Sequence, residues 1–486
     1  MNKLTFLSLI AAFTCMAGVL SAQQAHSDAE LSAAGSGPVL EPIPVEVEKA
    51  RTGIWKTYQT ITMDQLAEFN GQDIALSKYG GRKDRQEKAT GFFYAKKLKD
   101  RWILVDPEGY YFFSLGVNCV TPSDQSPDSV YAFKEKFVSR ESWVDHTFEL
   151  LTEELHFNTL GRWSAPELFR QYGKPMPYAV GLNIIGNFAR KHGLYEPSYG
   201  STNLKGDVLP VFHKELPAFI DQTCRQLTAI KDDPWVFGIM SDNEIPLFEE
   251  DILSKYLALG ENDPGAKAAR EWLTEHGKTE REITPEDDRT FCVLVLSRYF
   301  RMVREAIDQY APNHMYFGTR LHKTLLTQES AYEAAGPYMD VIAINLYHRW
   351  NIDQAMINRM SQIAGKPLMI TEWYAKGIDS GLRNFSGAGF LVHTQEERGM
   401  FYENFTISLL RNPNMVGWHW FRYMDEGAIR KGRQASNKGL LNVHFDPYTG
   451  LTDSMKRINR SVYGLRDYLL QIESPNLPNA PTLADQ

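Results

Sequence analysis

The chain has 486 residues, of which 43% are hydrophobic and 23% charged, an ordinary balance for a globular enzyme with one large core or two smaller ones. Its formal net charge is −8 and its pI about 5.9, so there is no basic footprint for nucleic acid. Beyond the N-terminal apolar run, no stretch reaches the roughly 18 apolar residues needed to span a bilayer.

Residues 1–22 read as a signal peptide: Lys3, an apolar run from Leu4 to Leu20, then the small residues Ser21 and Ala22 before Gln23. This predicts an exported protein, periplasmic or secreted. Cys15 lies inside that run without a lipoprotein context, and Cys119, Cys224 and Cys292 remain. Their odd number and the absence of C-x-x-C spacing argue against a zinc site or a disulfide framework, so buried free thiols are expected. Residues 23–50 are small, polar and proline-dotted, the composition of a flexible leader. Residues 51–109 are expected to form an N-terminal extension. Within it GFFYAKKLKDRWILVDPEG (91–109) reads as a hairpin that caps the bottom of the larger unit beginning at residue 110.

Eight apolar, strand-like runs then alternate with helical patterns. They are YYFFSLGVNCV (110–120), FNTLGRW (157–163), YAVGLNI (178–184), WVFGIMSDN (235–243), MYFGTRL (315–321), VIAINLY (341–347), PLMITEW (367–373) and VGWHWFRY (416–423). The intervening ESWVDHTFELLTEEL, HKELPAFIDQTCRQLTAI and TFCVLVLSRYFRMVREAIDQY carry apolar residues at i, i+3/i+4 and i+7. Near-continuous apolar strands separated by helices predict a parallel sheet buried on both faces, and eight of them predict an α/β chain closed as a (β/α)8 TIM barrel over 110–472. The segment 473–486 reads as a loop-like tail.

In such a barrel the reactive groups sit at the C-terminal ends of the strands. The fourth run ends in SDNEIP, supplying Asp242, Asn243 and Glu244; the seventh ends in ITEW, supplying Glu372 and Trp373. One glutamate at a strand end is commonplace. Two across one barrel mouth are what glycosidic cleavage requires: one carboxyl protonated to donate to the leaving oxygen, the other ionised to attack the anomeric carbon or activate water. An amide such as Asn243 beside the acid can donate to the sugar 2-hydroxyl. Further candidates for the cleft are Asn118 and Cys119 (first strand), Arg162 and Trp163 (second), Asn345, Tyr347 and His348 (sixth), and Trp418, His419, Trp420 and Tyr423 (eighth). Arg162 is expected either to hold Glu372 ionised or to make a buried structural pair. No H-E-x-x-H, G-x-S-x-G, Walker-A or G-x-G-x-x-G pattern accompanies these residues, so no metal and no cofactor is expected. The aromatic content of 12% supplies core and, in a cleft, surfaces that stack on sugar rings.

Several segments together, RWILVDPEGYYFFSLGVNCV, PWVFGIMSDNEIP, ITPEDDRTFCVLVLSRYFRMVREAIDQYAPNHMYFGTRL, SGAGFLVHTQEERGMFYENF and GWHWFRYMDEGAIRKGRQASNKGLLN, resemble glycoside hydrolase family 50, whose characterised members are chiefly β-agarases. The resemblance spans most of residues 90–470. It implies a retaining glycosidase of the large (β/α)8 clan, with Glu244 as acid/base, Glu372 as nucleophile and Asn243 as the residue preceding the acid/base. It further implies that Tyr347 hydrogen-bonds the nucleophile, that Trp420 floors the subsite of the cleaved sugar, and that Asn437, Lys438 and Gly439 lie near the cleft. Asn118, Arg162, His348, Trp373 and His419 complete the expected substrate-binding set. The implied partner is an agarose-type galactan polysaccharide or its oligosaccharides. The alternatives are a β-galactosidase or β-glucanase acting on another glycan, and a non-catalytic polysaccharide-binding protein. Family members commonly carry a large carbohydrate-binding-like domain before the barrel; the short stretch 51–109 suggests that it is absent or reduced here.

Overall fold

The computed structural model describes residues 41–471, apart from 50–51, 67–68, 72, 124, 197–202 and 428–434. The expected signal peptide (1–22), the leader up to residue 40 and the tail 473–486 lie outside the described residues. Among the described residues no helix is long and apolar enough to cross a membrane.

The N-terminal extension is two sheets rather than one hairpin. β1 (Ile43–Glu48) and β2 (Trp55–Thr60) pair antiparallel, and β1 also pairs at Glu48 with a strand far along the chain. β1 falls at the end of the segment read as a flexible leader. Its alternating Val45 and Val47 are 2% and 1% exposed, enough apolar burial to hold it down. β3 (Arg82–Gln86), β4 (Tyr94–Lys97), β5 (Trp102–Val105) and β6 (Tyr110–Phe112) form a second antiparallel sheet in the order β3-β6-β5-β4. The expected hairpin is its β4–β5 pair. Tyr110–Phe112 was expected to open the first barrel strand and belongs to this sheet instead. The cause is the turn before it, where Asp106 Oδ1 accepts from the Glu108 and Tyr110 amides at 2.9 Å each and folds β6 back on β5.

The barrel strands are β7 (Ser114–Val117), β8 (Thr159–Leu160) and β9 (Tyr178–Gly181). After a hairpin of β10 (Tyr195–Glu196) and β11 (Asn203–Leu204) come β12 (Val236–Met240), β13 (Tyr316–Gly318), β14 (Ile342–Asn345) and β15 (Leu368–Glu372). β16 (Ala375–Gly377) and β17 (Phe390–Val392) join β1 and β2, and β18 (Met415–Trp420) is the eighth barrel strand. The eight run parallel in the order β13-β12-β9-β8-β7-β18-β15-β14. The ring closes between β13 and β14, where the Leu321 amide donates to Ala343 O (2.9 Å) and the Asn345 amide to Leu321 O (2.8 Å).

Each of the three helical patterns forms, the second and first ending in tighter and wider turns than an α-helix. The longest, Pro285–Tyr310, starts at a capping box: the Thr284 hydroxyl caps the Asp287 amide, Asp287 returns to the Thr284 amide (2.8 Å), and Pro285 occupies the first turn. Its inner face, Phe291, Val295, Leu296, Tyr299, Val303 and Ile307, has the 3.6-residue period read from the sequence and is buried. The lower barrel interior is filled by Phe237, Met240, Phe317, Ala343, Met369 and Val416, continuous with Tyr79, Phe93, Trp102 and Phe112 of the extension. Phe93 and Phe112 place their rings 5.5 and 5.7 Å from Phe237, so the small sheet plugs the bottom and leaves the C-terminal mouth as the open end.

Candidate active site

The backbone turns sharply as it leaves several barrel strands. Cys119, Trp163, Asn183, Glu244, Arg320 and His348 each take a left-handed conformation, with φ between 51 and 59°. For residues with a Cβ that conformation costs on the order of 1–2 kcal/mol. Its recurrence around one mouth re-aims side chains over the barrel axis, the pattern expected where geometry serves a site.

Glu372 is the last residue of β15 and is 5% exposed. Arg320 places Nη2 2.7 Å from its Oε1, and the Tyr347 hydroxyl donates to Oε2 at 2.5 Å. Glu244 follows β12, is 8% exposed, and is anchored by its amide to Thr319 O (3.0 Å). Its Oε1 accepts from Asn345 Nδ2 at 2.8 Å and lies 3.9 Å from His322 Nδ1. Asn345 is oriented in turn by Thr371, whose hydroxyl donates to Asn345 Oδ1 at 2.9 Å. Burial pushes the Glu372 carboxyl above the ordinary glutamate range and the Glu244 charge adds to the rise; Arg320, Tyr347 and His322 pull it back. The two carboxyls therefore share one electrostatic environment, with the guanidinium and the phenol on the Glu372 side.

Arg320 was missed in the sequence; Arg162 was expected either to hold Glu372 ionised or to make a buried structural pair. Arg162 donates instead to Asn183 Oδ1 at 3.3 Å, lying flat over Gly181, where a Cβ would fall 1.6 Å from its Cζ. Burial and the Arg320 charge lower its pKa to about 10. The signal for Arg320 was available: MYFGTRL ends a barrel strand in an ionisable residue, as the fourth and seventh runs do. Arg320 also donates from Nη1 to Asn243 Oδ1 (2.9 Å), which fixes the Asn243 amide beside Glu244 with its carbonyl toward the guanidinium.

Strand parity decides the aromatics. Glu372 faces the mouth, so Trp373 faces the helices, 1% exposed and stacked on Phe405 at 4.4 Å. On β18 His419 turns into the barrel and Trp420 outward. Trp420 is fully buried, with Nε1 donating to Lys438 O at 3.2 Å, and does not floor the mouth. Trp163, 38% exposed, is the indole left at the surface of the mouth, with the Arg162 and Arg320 guanidinium carbons 5.4 and 4.7 Å from its ring. His419 bonds Ser114 Oγ (3.0 Å) and packs on Gly116, where a Cβ would meet its ring at 2.1 Å. Burial drops its pKa to about 3, a neutral ring beneath the site rather than in it. Burial likewise lowers His348 to about 4; its ring packs 6.0 Å from Phe390.

Asn118 is a fully buried strut, donating to Thr371 O (2.8 Å) and Trp420 O (3.3 Å) across the strand ends. Asn437 is also fully buried and is occupied by the Gly377 amide (2.9 Å), Gln395 Nε2 (3.1 Å) and Asp425 (3.1 Å). Lys438 Nζ pairs with Glu426 at 2.7 Å and stands 5.7 Å from the Tyr374 ring, which packs 5.4 Å from that of Tyr347. Among the described residues one group, His192, His213 and Glu215, gathers three possible metal ligands within 4.8 Å, and it includes neither mouth carboxylate.

No family model matches the chain. In sequence it is 25% identical over 506 aligned residues to Beta-agarase B of Vibrio sp. (strain JT0107), covering 83% of this chain and 52% of that protein. It is 29% identical over 177 residues to Beta-agarase A of the same strain, covering 34% of this chain and 17% of that one. The chain thus spans about half the length of the first of these relatives. In structure it is similar to BpGH50, with a TM-score of 0.78 and 28% identity over 90% of this chain and 98% of that one. An exo-beta-agarase structure, at 21% identity and TM-score 0.68 over 84% and 69% of the two chains, shares the fold. The resemblance to glycoside hydrolase family 50 read from the motifs is supported by sequence and structure alike.

Proposed function

We propose that this chain is a retaining glycoside hydrolase that cleaves β-glycosidic bonds of a galactan-type polysaccharide, with agarose or neoagaro-oligosaccharides as substrate. The observation that carries the reading is the asymmetry of the two mouth carboxyls. Glu372 is gripped by a guanidinium and a phenol, donors that favour the ionised form. Glu244 is gripped by the Asn345 side-chain amide from the end of β14, two strands away, with His322 Nδ1 3.9 Å off. Glu372 is the nucleophile and attacks the anomeric carbon; Glu244 gives its proton to the leaving oxygen. Glu244 then takes a proton from water, which attacks the same carbon and releases Glu372. Arg320 stays beside Glu372 throughout and stabilises the carboxylate as it is regenerated. Asn243, fixed by Arg320, is placed to meet the 2-hydroxyl of the reacting sugar, a contact that strengthens as the oxocarbenium-like transition state forms. Trp163 offers the apolar face on which a sugar ring stacks.

The names of the relatives support agarose as the first substrate to try. Residues 1–22 remain a proposed export signal, in keeping with a polymer substrate outside the cell. The test is the product profile of wild type, Glu372→Ala and Glu244→Ala on agarose, porphyran, laminarin and galactan, with azide added to Glu372→Ala. Neoagaro-oligosaccharides from wild type, collapse of both variants and a glycosyl azide of inverted anomer are the expected results. Cleavage of another β-glycan alone would replace the substrate and keep the mechanism. Binding of agar oligosaccharides without any cleavage would make the chain a binding protein, and undiminished variants would refute the site.

A further inference from the structure

Apart from the two mouth carboxylates, His192, His213 and Glu215 bring three ligand atoms within 4.8 Å of one another. His192 closes the helix Ile184–Lys191, and His213 and Glu215 stand just before the helix Leu216–Cys224. The three side chains thus join the two ends of the excursion 193–212, which carries the β10–β11 hairpin between barrel strands β9 and β12. Phe188, fully buried on the first helix, packs against both imidazoles: its ring lies 4.2 Å from that of His192 and 5.1 Å from that of His213, and the two imidazoles are 4.7 Å apart. The backbone is held as well. The His192 amide donates to Phe188 O (3.0 Å), the His213 amide to Pro210 O (3.1 Å) and the Leu216 amide to His213 O (3.0 Å).

His192 Nε2 is buried without a hydrogen-bond partner, and Glu215 Oε2 is 3.9 Å from it, beyond hydrogen-bond reach. A buried imidazole nitrogen left in this way is unfavourable. We propose that His192, His213 and Glu215 form a zinc site, with the fourth position taken by water. A coordinated zinc stands about 2.0–2.1 Å from a nitrogen, inside the shell that the ligands themselves make, so burial of Nε2 from water does not bar it. Tetrahedral geometry at that distance sets ligand atoms about 3.3 Å apart, so Glu215 Oε2 has to approach His192 Nε2 by about 0.6 Å. The Glu215 side chain is 53% exposed and has room to do so. Two imidazoles and one carboxylate suit zinc; calcium and magnesium take oxygen ligands instead. One contact opposes binding. His213 Nδ1 accepts from the Glu215 amide at 3.2 Å, and that bond is given up whichever ring nitrogen takes the metal. It is a single long hydrogen bond exchanged for a coordinate bond. The ion would clamp the excursion 193–212 at both ends, and its effect would fall on stability rather than on Glu244 or Glu372.

Calorimetric titration of the EDTA-treated full chain with zinc chloride tests this. One ion per chain should bind, and the unfolding temperature should rise by about 3 °C at zinc 100 times Kd, while calcium and magnesium leave it unchanged. Cobalt(II) in place of zinc should give the visible absorption of a tetrahedral site. His213→Ala should abolish both the binding and the cobalt spectrum. Should that variant fail to fold, Glu215→Gln, at an exposed position, decides the matter: it should weaken zinc binding by at least the roughly 10-fold that loss of an outer-shell partner costs. Absence of zinc binding by the wild type, or binding that persists undiminished in the variants, would overturn the proposal and leave the three residues as a surface histidine–glutamate pairing.

Discussion

Arg320, two residues past the end of β13, reaches across β14 and places Nη2 2.7 Å from Glu372 Oε1 at the end of β15. The same side chain donates to Asn243 and to Thr371 O, so one fully buried cation joins the nucleophile candidate to the strand that carries the acid/base candidate.

Replacing Arg320 by Met removes the strongest interaction that holds Glu372 ionised. The Glu372 pKa should then rise further, and a carboxyl that must be ionised to attack loses its active fraction as the pH falls. The acidic limb of the kcat/KM profile should move to higher pH, with a loss on the order of 100-fold at pH 6 that narrows as the pH rises. Leaving Glu372 buried and unpaired should also destabilise the fold by about 3–5 kcal/mol, read from urea unfolding. A profile of unchanged shape would remove Arg320 from the mechanism.

In the wild type, burial already raises Glu372 above the ordinary glutamate range. The acidic limb of kcat/KM should therefore lie above the pH at which an exposed glutamate titrates, about 4.3. Tyr347→Phe deletes a donor to the ionised form and should shift that limb upward as well, with a loss of roughly 10- to 100-fold and little change in unfolding temperature. An upward shift without loss of folding separates electrostatic support from packing.

Trp163 and Trp420 should part company. Trp163→Ala removes an exposed ring at the mouth and should raise KM by roughly 10-fold, the equivalent of about 1.4 kcal/mol, with unfolding nearly unchanged. Trp420→Ala empties a site in the core and should cost about 3–5 kcal/mol of stability. If Trp420→Ala folds normally and loses only affinity, the burial argument is wrong.

Cys119, Cys224 and Cys292 are free and buried, and burial pushes Cys224 and Cys292 up to about 12. A thiol reagent should label none of the three in the native protein and all of them after denaturation, and reductant should leave the unfolding temperature unchanged.

Much of the site was legible because the barrel reads its chemistry from strand ends. The apolar runs set the strands, and the residue at the end of each run is carried to the mouth whatever lies between. Glu244 and Glu372 are found by that rule, and Tyr347 beside Glu372 by resemblance. The rule also reaches Arg320, which was overlooked because Arg162 stands in an equivalent position on another strand. At Tyr110–Phe112 the apolar run was read correctly and its length misled: one continuous run serves two strands in two sheets, divided at Phe113, because the Asp106 turn before it folds β6 back onto β5.

The sequence by itself determined the period and order of the eight strands and which residues end them, because alternation of apolar runs and helical stripes is a local property. Only the tertiary structure decided partners and faces. Whether Arg162 or Arg320 meets Glu372 depends on how far each strand end stands from β15, a distance set by barrel closure. Whether Trp420 or Trp163 meets solvent depends on parity: along a strand one residue's step turns a side chain from the axis to the helices, and a left-handed turn at Trp163 lifts its indole clear of the core.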